Sequence, residues 1–196
     1  MKLKCPFFGR IYLCIFLLAL AAGCMDLNMS IRPTDLPAGD KLPLHAVLVL
    51  NQDLSSFKYE YNNNGVVYPF GSLVQDYARH VVSTSFQHVD EATSSEKAFG
   101  NLSADIVLIP RPVKAERHLA MYGWDTNDFT LVVEWVAKDR ATRNTVWQRT
   151  IAADASEKLS DDVWHPGYLV QKLFDDLSLK TLEAFQKAPE LRNGVH

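Results

Sequence analysis

The placement of three cysteines constrains this chain more than any other feature. Cys5 and Cys14 lie in a segment built like an export leader. Lys2, Lys4 and Arg10 form a positive head, residues 11–22 are apolar and uncharged, and small residues end in Gly23-Cys24. A positive head, a short apolar stretch and a small-residue cleavage zone mark a secretory signal that is removed rather than folded. The stretch is also shorter than the roughly 20 apolar residues a membrane-spanning helix needs. Without residues 1–23, Cys24 is the one thiol left, so no intramolecular disulfide can form and a hydrophobic core must hold the fold together. Residues 24–196 suffice for one compact domain. The leader takes three of the 20 basic residues and none of the 23 acidic ones, so the net charge moves from −3 to −6. That balance argues against nucleic acid and against adhesion to anionic lipid.

Leu20-Ala21-Ala22-Gly23-Cys24 resembles the lipobox of bacterial envelope lipoproteins, with the leucine one place earlier than usual. The resemblance implies lipidation of Cys24, which becomes the first residue of the mature chain and ties it to a membrane. An ordinary signal cut near Ala22 would instead leave an exposed thiol open to oxidation. Met25, rather than Asp, follows the cysteine, so the expected location is the outer membrane, facing the periplasm, although Asp26 comes next. Residues 24–43 lack any helical or strand period, and Pro33, Pro37, Gly39 and Pro43 punctuate them. They read as a flexible lipidated tether that holds the domain off the membrane without packing strongly.

The domain is expected over residues 44–188, with a tail at 189–196. Residues 44–50 are apolar on both alternating faces apart from His45, as in a strand covered on both sides. Residues 57–61 and 66–68 read as a hairpin around Asn62-Asn63-Asn64-Gly65, kept at an edge by Pro69. Ser72 and Gln75 suggest a capping box, followed by a stripe of Leu73, Val74, Tyr77, Ala78, Val81 and Val82. Residues 86–89 suggest a strand, and residues 91–99 leave a short helix open. Residues 104–109 read as a strand that Pro110 and Pro112 terminate or push to an edge.

Residues 128–138 read as a long strand with Phe129, Leu131, Val133, Trp135 and Ala137 on one face. Residues 139–144 turn, and 145–151 return antiparallel. Trp135 and Trp147 are expected as cross-strand core partners. Pro166 opens a helix that Pro189 stops, with Val170, Leu173, Phe174, Leu177, Thr181, Ala184 and Phe185 on its core face. The first helix is long enough for a right-handed crossover between parallel strands, whereas the hairpin must be antiparallel. The expected fold is therefore α/β: a single domain with a mixed sheet of about five strands covered by two long helices, closed by a C-terminal antiparallel hairpin and helix.

Two stretches carry a further resemblance. Ser103-Ala104-Asp105-Ile106-Val107-Leu108-Ile109 resembles the Gly-Ala-Asp-apolar strand of a group of envelope lipoproteins. Asp139-Arg140-Ala141-Thr142-Arg143-Asn144-Thr145-Val146-Trp147 resembles that group's hairpin, Asp-x-x-Thr-Gly-x-x-apolar-Trp. The group includes the curli-secretion channel lipoprotein, the Pel-type exopolysaccharide-export lipoprotein and the lipoprotein activator of a penicillin-binding protein. The amino-terminal domain of the Tol translocation protein is similar in shape. The likeness covers residues 44–187 in element order and these two stretches in detail. Ser103 and Arg143 stand where the group has Gly. A side chain at positive φ costs about 1 kcal/mol, so the Arg143 turn is strained or differently built. The resemblance implies a scaffold or export component rather than a catalyst.

The search for chemistry finds little. None of the six histidines pairs with another at metal-ligand spacing, and no nucleophile elbow, phosphate loop or Ser-x-x-Lys pair is present. Asp161-Asp162-Val163-Trp164-His165 reads as an acidic approach to the last helix. Neither a catalytic set, a metal site nor a cofactor is expected. Tyr122, Trp124, Trp164 and Tyr168 lie in or beside loops shaped by Gly and Pro, where aromatics anchor protein interfaces, so they are the candidate partner-binding residues. Leu179 and Leu182 lie off the last helix's stripe and either widen its core face or mark a binding edge. The leading expectation is a non-enzymatic scaffold or accessory subunit of an envelope assembly or export machine, bound to an envelope protein complex, with a homo-oligomer admissible. Its rivals are a lipoprotein binding a small ligand or glycan and, less favoured, a periplasmic hydrolase.

Overall fold

A computed structural model describes residues 25–26, 29–61, 66–118, 126–158 and 166–192. Strand β1 is Met25–Asp26, and β2, Leu42–Val49, carries the doubly apolar run. Helix α1 (Gln52–Ser55) begins at Asn51, whose side chain accepts the Leu54 amide. The hairpin strands β3 (Tyr59–Tyr61) and β4 (Val66–Tyr68) lead into α2 (Phe70–Ser85), β5 (Phe86–Ala92) and α3 (Ser95–Phe99). The long strands β6 (Ile106–His118), β7 (Thr126–Asp139) and β8 (Thr145–Lys158) follow, then α4 (Pro166–Gln186) and α5 (Pro189–Arg192).

The main sheet has the order β5-β2-β6-β7-β8. β2 is parallel to both neighbours, with α2 crossing over to β5, while β6, β7 and β8 are antiparallel. The expected mixed five-stranded sheet is therefore present, and β2 is covered on both faces. Leu44, Ala46 and Leu48 join the large core under α2 and α4, whereas Val47 and Val49 join a smaller cluster under α3 with Ala98, Ala104 and Val107. Along β7, Phe129, Leu131, Val133, Trp135 and Ala137 all point into the large core. Strands β1, β4 and β3 form a separate three-stranded sheet.

Three expectations are corrected, and of the two outcomes left to Pro110 and Pro112 the edge position holds. Helix α2 starts at Phe70 with Pro69 at the cap position and no side-chain cap, so there is no Ser72–Gln75 capping box. The Ser72 hydroxyl donates instead to the Pro69 carbonyl, at 2.9 Å. Burial of Phe70 draws the helix start inward, and Gly71 is needed there because a Cβ would collide with the Leu54 carbonyl. Pro110 and Pro112 do not end β6. Its pairing with β2 covers Ile106–Leu108, so beyond Leu108 that side is an open edge where a missing N–H removes no ladder bond.

Residues 29–41 do pack. The Arg32 amide donates to Gln171 Oε1, Gln171 Nε2 donates back to the Arg32 carbonyl, and the Thr34 hydroxyl donates to Asp175. His80 donates to the Thr34 carbonyl, and Met29, Ile31 and Leu36 lie against the core. The segment is a strap across α2 and α4. The expected tail also departs from its reading, because α5 places Leu191 fully inside the core.

Arg143 has φ 62°, the positive value that Gly at this turn position would take freely. The turn is held by the Asp139 carboxylate, which accepts the Thr142 amide at 2.5 Å. The hydrogen bonds from Thr142 keep that carboxyl below the ordinary Asp range. The Arg143 guanidinium lies over Phe99, 5.2 Å from its centroid, which offsets part of the strain.

At the centre of the core the Trp135 indole N–H donates to the Tyr77 hydroxyl at 3.0 Å, and that hydroxyl shares a 2.5 Å hydrogen bond with Thr181. Burial pushes the Tyr77 phenol up, so it remains protonated, and the two hydrogen bonds only partly oppose the shift. Trp135 and Trp147 both pack on Phe185, at 5.2 and 5.3 Å between centroids, so the two tryptophans join the core through α4. Tyr77→Phe keeps the ring packing but leaves the indole N–H without its acceptor. We expect a loss of about 1–3 kcal/mol in denaturant unfolding at unchanged slope; an unchanged midpoint would show that the triad contributes nothing.

Candidate functional site

Of the residues assigned to function from sequence, Cys24, Tyr122, Trp124 and Trp164 lie outside the described residues, as does the Asp161–His165 stretch. Tyr168 lies in the first turn of α4 and is half exposed, with the Lys172 ammonium 4.8 Å from its ring centroid. Leu179 is exposed, and Leu182 turns into the core.

Sequence reasoning missed the free side of β8. This strand is last in the sheet, and among the described residues no strand lies beyond it. Near its middle the edge is capped by α4: Lys180 Nζ donates to the Ala152 carbonyl, and the Asp154 amide donates to Asp176. Backbone groups alternate sides along an antiparallel strand. Those two contacts therefore show that the even-numbered positions face outward, and Gln148 and Thr150 face outward with them. Beside Gln148 and Thr150 the edge opens into a groove of about 670 Å³, walled by Arg149 and by Lys180, Glu183 and Lys187. One signal was available in the sequence. Arg149 is a charged residue among Trp147, Ile151, Ala153 and Ala155, the inward positions of β8, and it is exposed. A charge on the inward parity marks a place where the covering helix stands away from the strand.

A second cluster lies on the β2–β5 side. His45 Nε2 is 2.9 Å from Asp90 Oδ2, and Asn101 Nδ2 donates to the same oxygen at 2.7 Å. The His45 amide donates to Asp105 Oδ2, while the Asp105 amide donates to the His45 carbonyl. The hydrogen bond from Asn101, then that from His45, holds the Asp90 carboxyl below its ordinary range. His88 lies 5.9 Å from His45 between ring centroids. Among the described residues no group of three or more His, Cys, Asp or Glu is placed to hold a metal ion. The cluster ties together β2, β5 and the 101–105 loop.

With this geometry in place, comparison with known proteins is informative about fold. No family model matches the sequence, and no curated protein matches it significantly. Among solved structures, a Xanthomonas campestris protein of family DUF330 is similar at TM-score 0.54 and 12% identity, over 82% of this chain and 91% of that one. A minor lipoprotein from Acinetobacter baumannii is similar at TM-score 0.45 and 11% identity, over 79% and 96% of the two chains. A PelC dodecamer from Paraburkholderia phytofirmans follows at TM-score 0.37 and 15% identity, over 76% and 98%. The likeness is one of fold. Among the described residues, no helix is long and apolar enough to cross a membrane.

The lowered Asp90 pKa has a defined pH consequence. A carboxyl whose folded pKa lies below its unfolded value contributes stability above the unfolded value of about 3.9, and loses it as pH falls through the folded one. Asp90→Asn should therefore lower the urea midpoint near pH 6, and the gap to the parent should narrow as pH falls below the ordinary Asp range. A gap that is constant with pH would assign the loss to geometry rather than charge.

Proposed function

We propose that this chain is a non-enzymatic lipoprotein of the bacterial envelope, anchored through Cys24 in the outer membrane and facing the periplasm. In this reading it is an accessory or scaffold subunit of an assembly or export machine and takes no cofactor. The observation that carries the reading is the uncapped half of β8. Outward backbone groups at Gln148 and Thr150, with a groove beside them, fit an extended segment of a partner protein added as a further strand. The groove's lining sets Arg149, Lys180, Glu183 and Lys187 beside Trp147, Ile151 and Ala184. Charged and apolar groups side by side suit the mixed side chains of a polypeptide.

Thr150→Pro tests this directly. Proline on an edge strand, with its nitrogen turned outward, removes a donor that the fold does not use. The melting temperature should stay within a few degrees of the parent, while recovery of the crosslinked partner complex from envelopes falls about tenfold. Full recovery with an intact fold would refute the strand-addition reading. A second copy of the chain is the alternative occupant, and sedimentation of the purified protein distinguishes it. The anchor has its own test. Cys24→Ala should abolish labelling with radioactive fatty acid and release the protein into the soluble periplasm; retention on membranes in high salt would refute lipid anchoring.

A further inference from the structure

Arg149 is a charge on the buried side of β8. Trp147, Ile151, Ala153 and Ala155 share its face and are buried, and across the ladder it pairs with the fully buried Trp135. The arginine itself is exposed, because the groove opens beside it.

The other cations of the groove are already matched. Lys180 Nζ is 2.6 Å from Asp176, and Lys187 pairs with Glu183, each pair one turn apart on α4. Among the described residues Arg149 has neither an ion pair nor a side-chain hydrogen bond. The lining holds three cations, Arg149, Lys180 and Lys187, against two anions, Glu183 and Glu190. On a chain whose formal net charge is −3, this groove is locally positive, and the guanidinium is its unmatched cation.

The strand's geometry fixes what would meet that guanidinium. Even-numbered positions turn their backbone groups outward, as the bonds at Ala152 and Asp154 show. On an antiparallel partner, residues opposite Gln148 and Thr150 would exchange backbone hydrogen bonds with them. The residue opposite Arg149 then falls in the intervening pair, which has no such bonds. Its Cα stands about 4.5 Å away, closer than in the bonded pairs, and its side chain lies on the arginine's own face. The residue opposite Trp147 shares that face and meets the apolar part of the lining, Trp147 and Ala184.

A second copy of the chain fits this edge poorly. A two-fold axis pairs β8 with its own image in reverse. A register centred on the open stretch sets Gln148 opposite Thr150, Gln148 opposite Gln148, or Thr150 opposite Thr150. In the first, Arg149 faces its own counterpart directly. In the other two the counterparts are diagonal neighbours, about 7–8 Å apart. Each register brings two unmatched guanidinium groups together, and like charges destabilise a cross-strand pair.

We propose that Arg149 selects the partner: the segment that adds to β8 belongs to a different protein and carries an Asp or Glu opposite Arg149. The inference rests on strand addition to β8 as proposed above. Backbone bonds along an added strand are indifferent to sequence, so specificity falls to the side chains on the alternate positions. A guanidinium can hold a carboxylate through two parallel N–H···O bonds, which fixes the register of the added strand as well as its identity.

The test uses the purified full-length protein and three fluorescein-labelled peptides. Each has nine core residues, Val at odd positions and Thr at even ones, with Glu, Gln or Lys in place of the central Val. A proline at either end discourages self-pairing. By fluorescence anisotropy the Glu peptide should bind about fivefold more tightly than the Gln peptide, and the Lys peptide more weakly than both. Arg149→Lys should keep the Glu peptide first, and Arg149→Glu should reverse the order in favour of Lys, with both variants melting within a few degrees of the parent. Equal binding of the three peptides, abolished by Thr150→Pro, would overturn selection by Arg149 while leaving strand addition intact. So would a preference for Glu that persists in Arg149→Glu. Failure of every peptide to bind, or binding unaffected by Thr150→Pro, would overturn strand addition and the selection with it.

Discussion

Trp135 is fully buried at the middle of β7, and an indole N–H placed there must find an acceptor. It finds the Tyr77 hydroxyl on α2, which is in turn bonded to Thr181 on α4. One short chain of hydrogen bonds thus fixes the sheet to both covering helices. Most of the large core is apolar and packs without directional bonds, whereas this triad must satisfy three polar groups at once. The rings around it follow the same constraint: Phe174 and Phe185, on α4, pack against Tyr77 and Trp135, respectively.

With the helices set, the two ends of the chain close over them. The strap at residues 29–41 bonds to both helices, and α5 returns Leu191 between β2 and β8. Each does part of what a disulfide can do, holding a segment far along the chain to the body by many weak contacts.

β8 shows two treatments of one edge. Around Ala152 and Asp154 the helix supplies Lys180 and Asp176 to occupy the outward backbone groups, as proteins do to discourage unwanted strand pairing. Around Gln148 and Thr150 the same edge faces an open groove. An edge capped along half its length and open along the rest suits a segment of limited length added at one place.

The alternation along β7, the doubly apolar β2 and the stripe on α2 were legible in the sequence because each follows the period of its own element, and each period depends on local geometry alone. The strain at Arg143 was legible too, since a side chain standing where glycine is usual announces a positive φ. Several features depended on tertiary structure. Residues 29–41 have no period because the strap is irregular and its contacts, such as Ile31 and Leu36 on the core and Thr34 with Asp175, recur at no fixed spacing. The helix start at Phe70 followed burial rather than capping chemistry, and the prolines of β6 were harmless only because β2 ends beside them. The open half of β8 and the packing of residues 29–41 across α2 and α4 are relations between segments far apart in sequence. Composition and spacing specify which surfaces a segment must bury; which edge is left free depends on how those surfaces pack together in space.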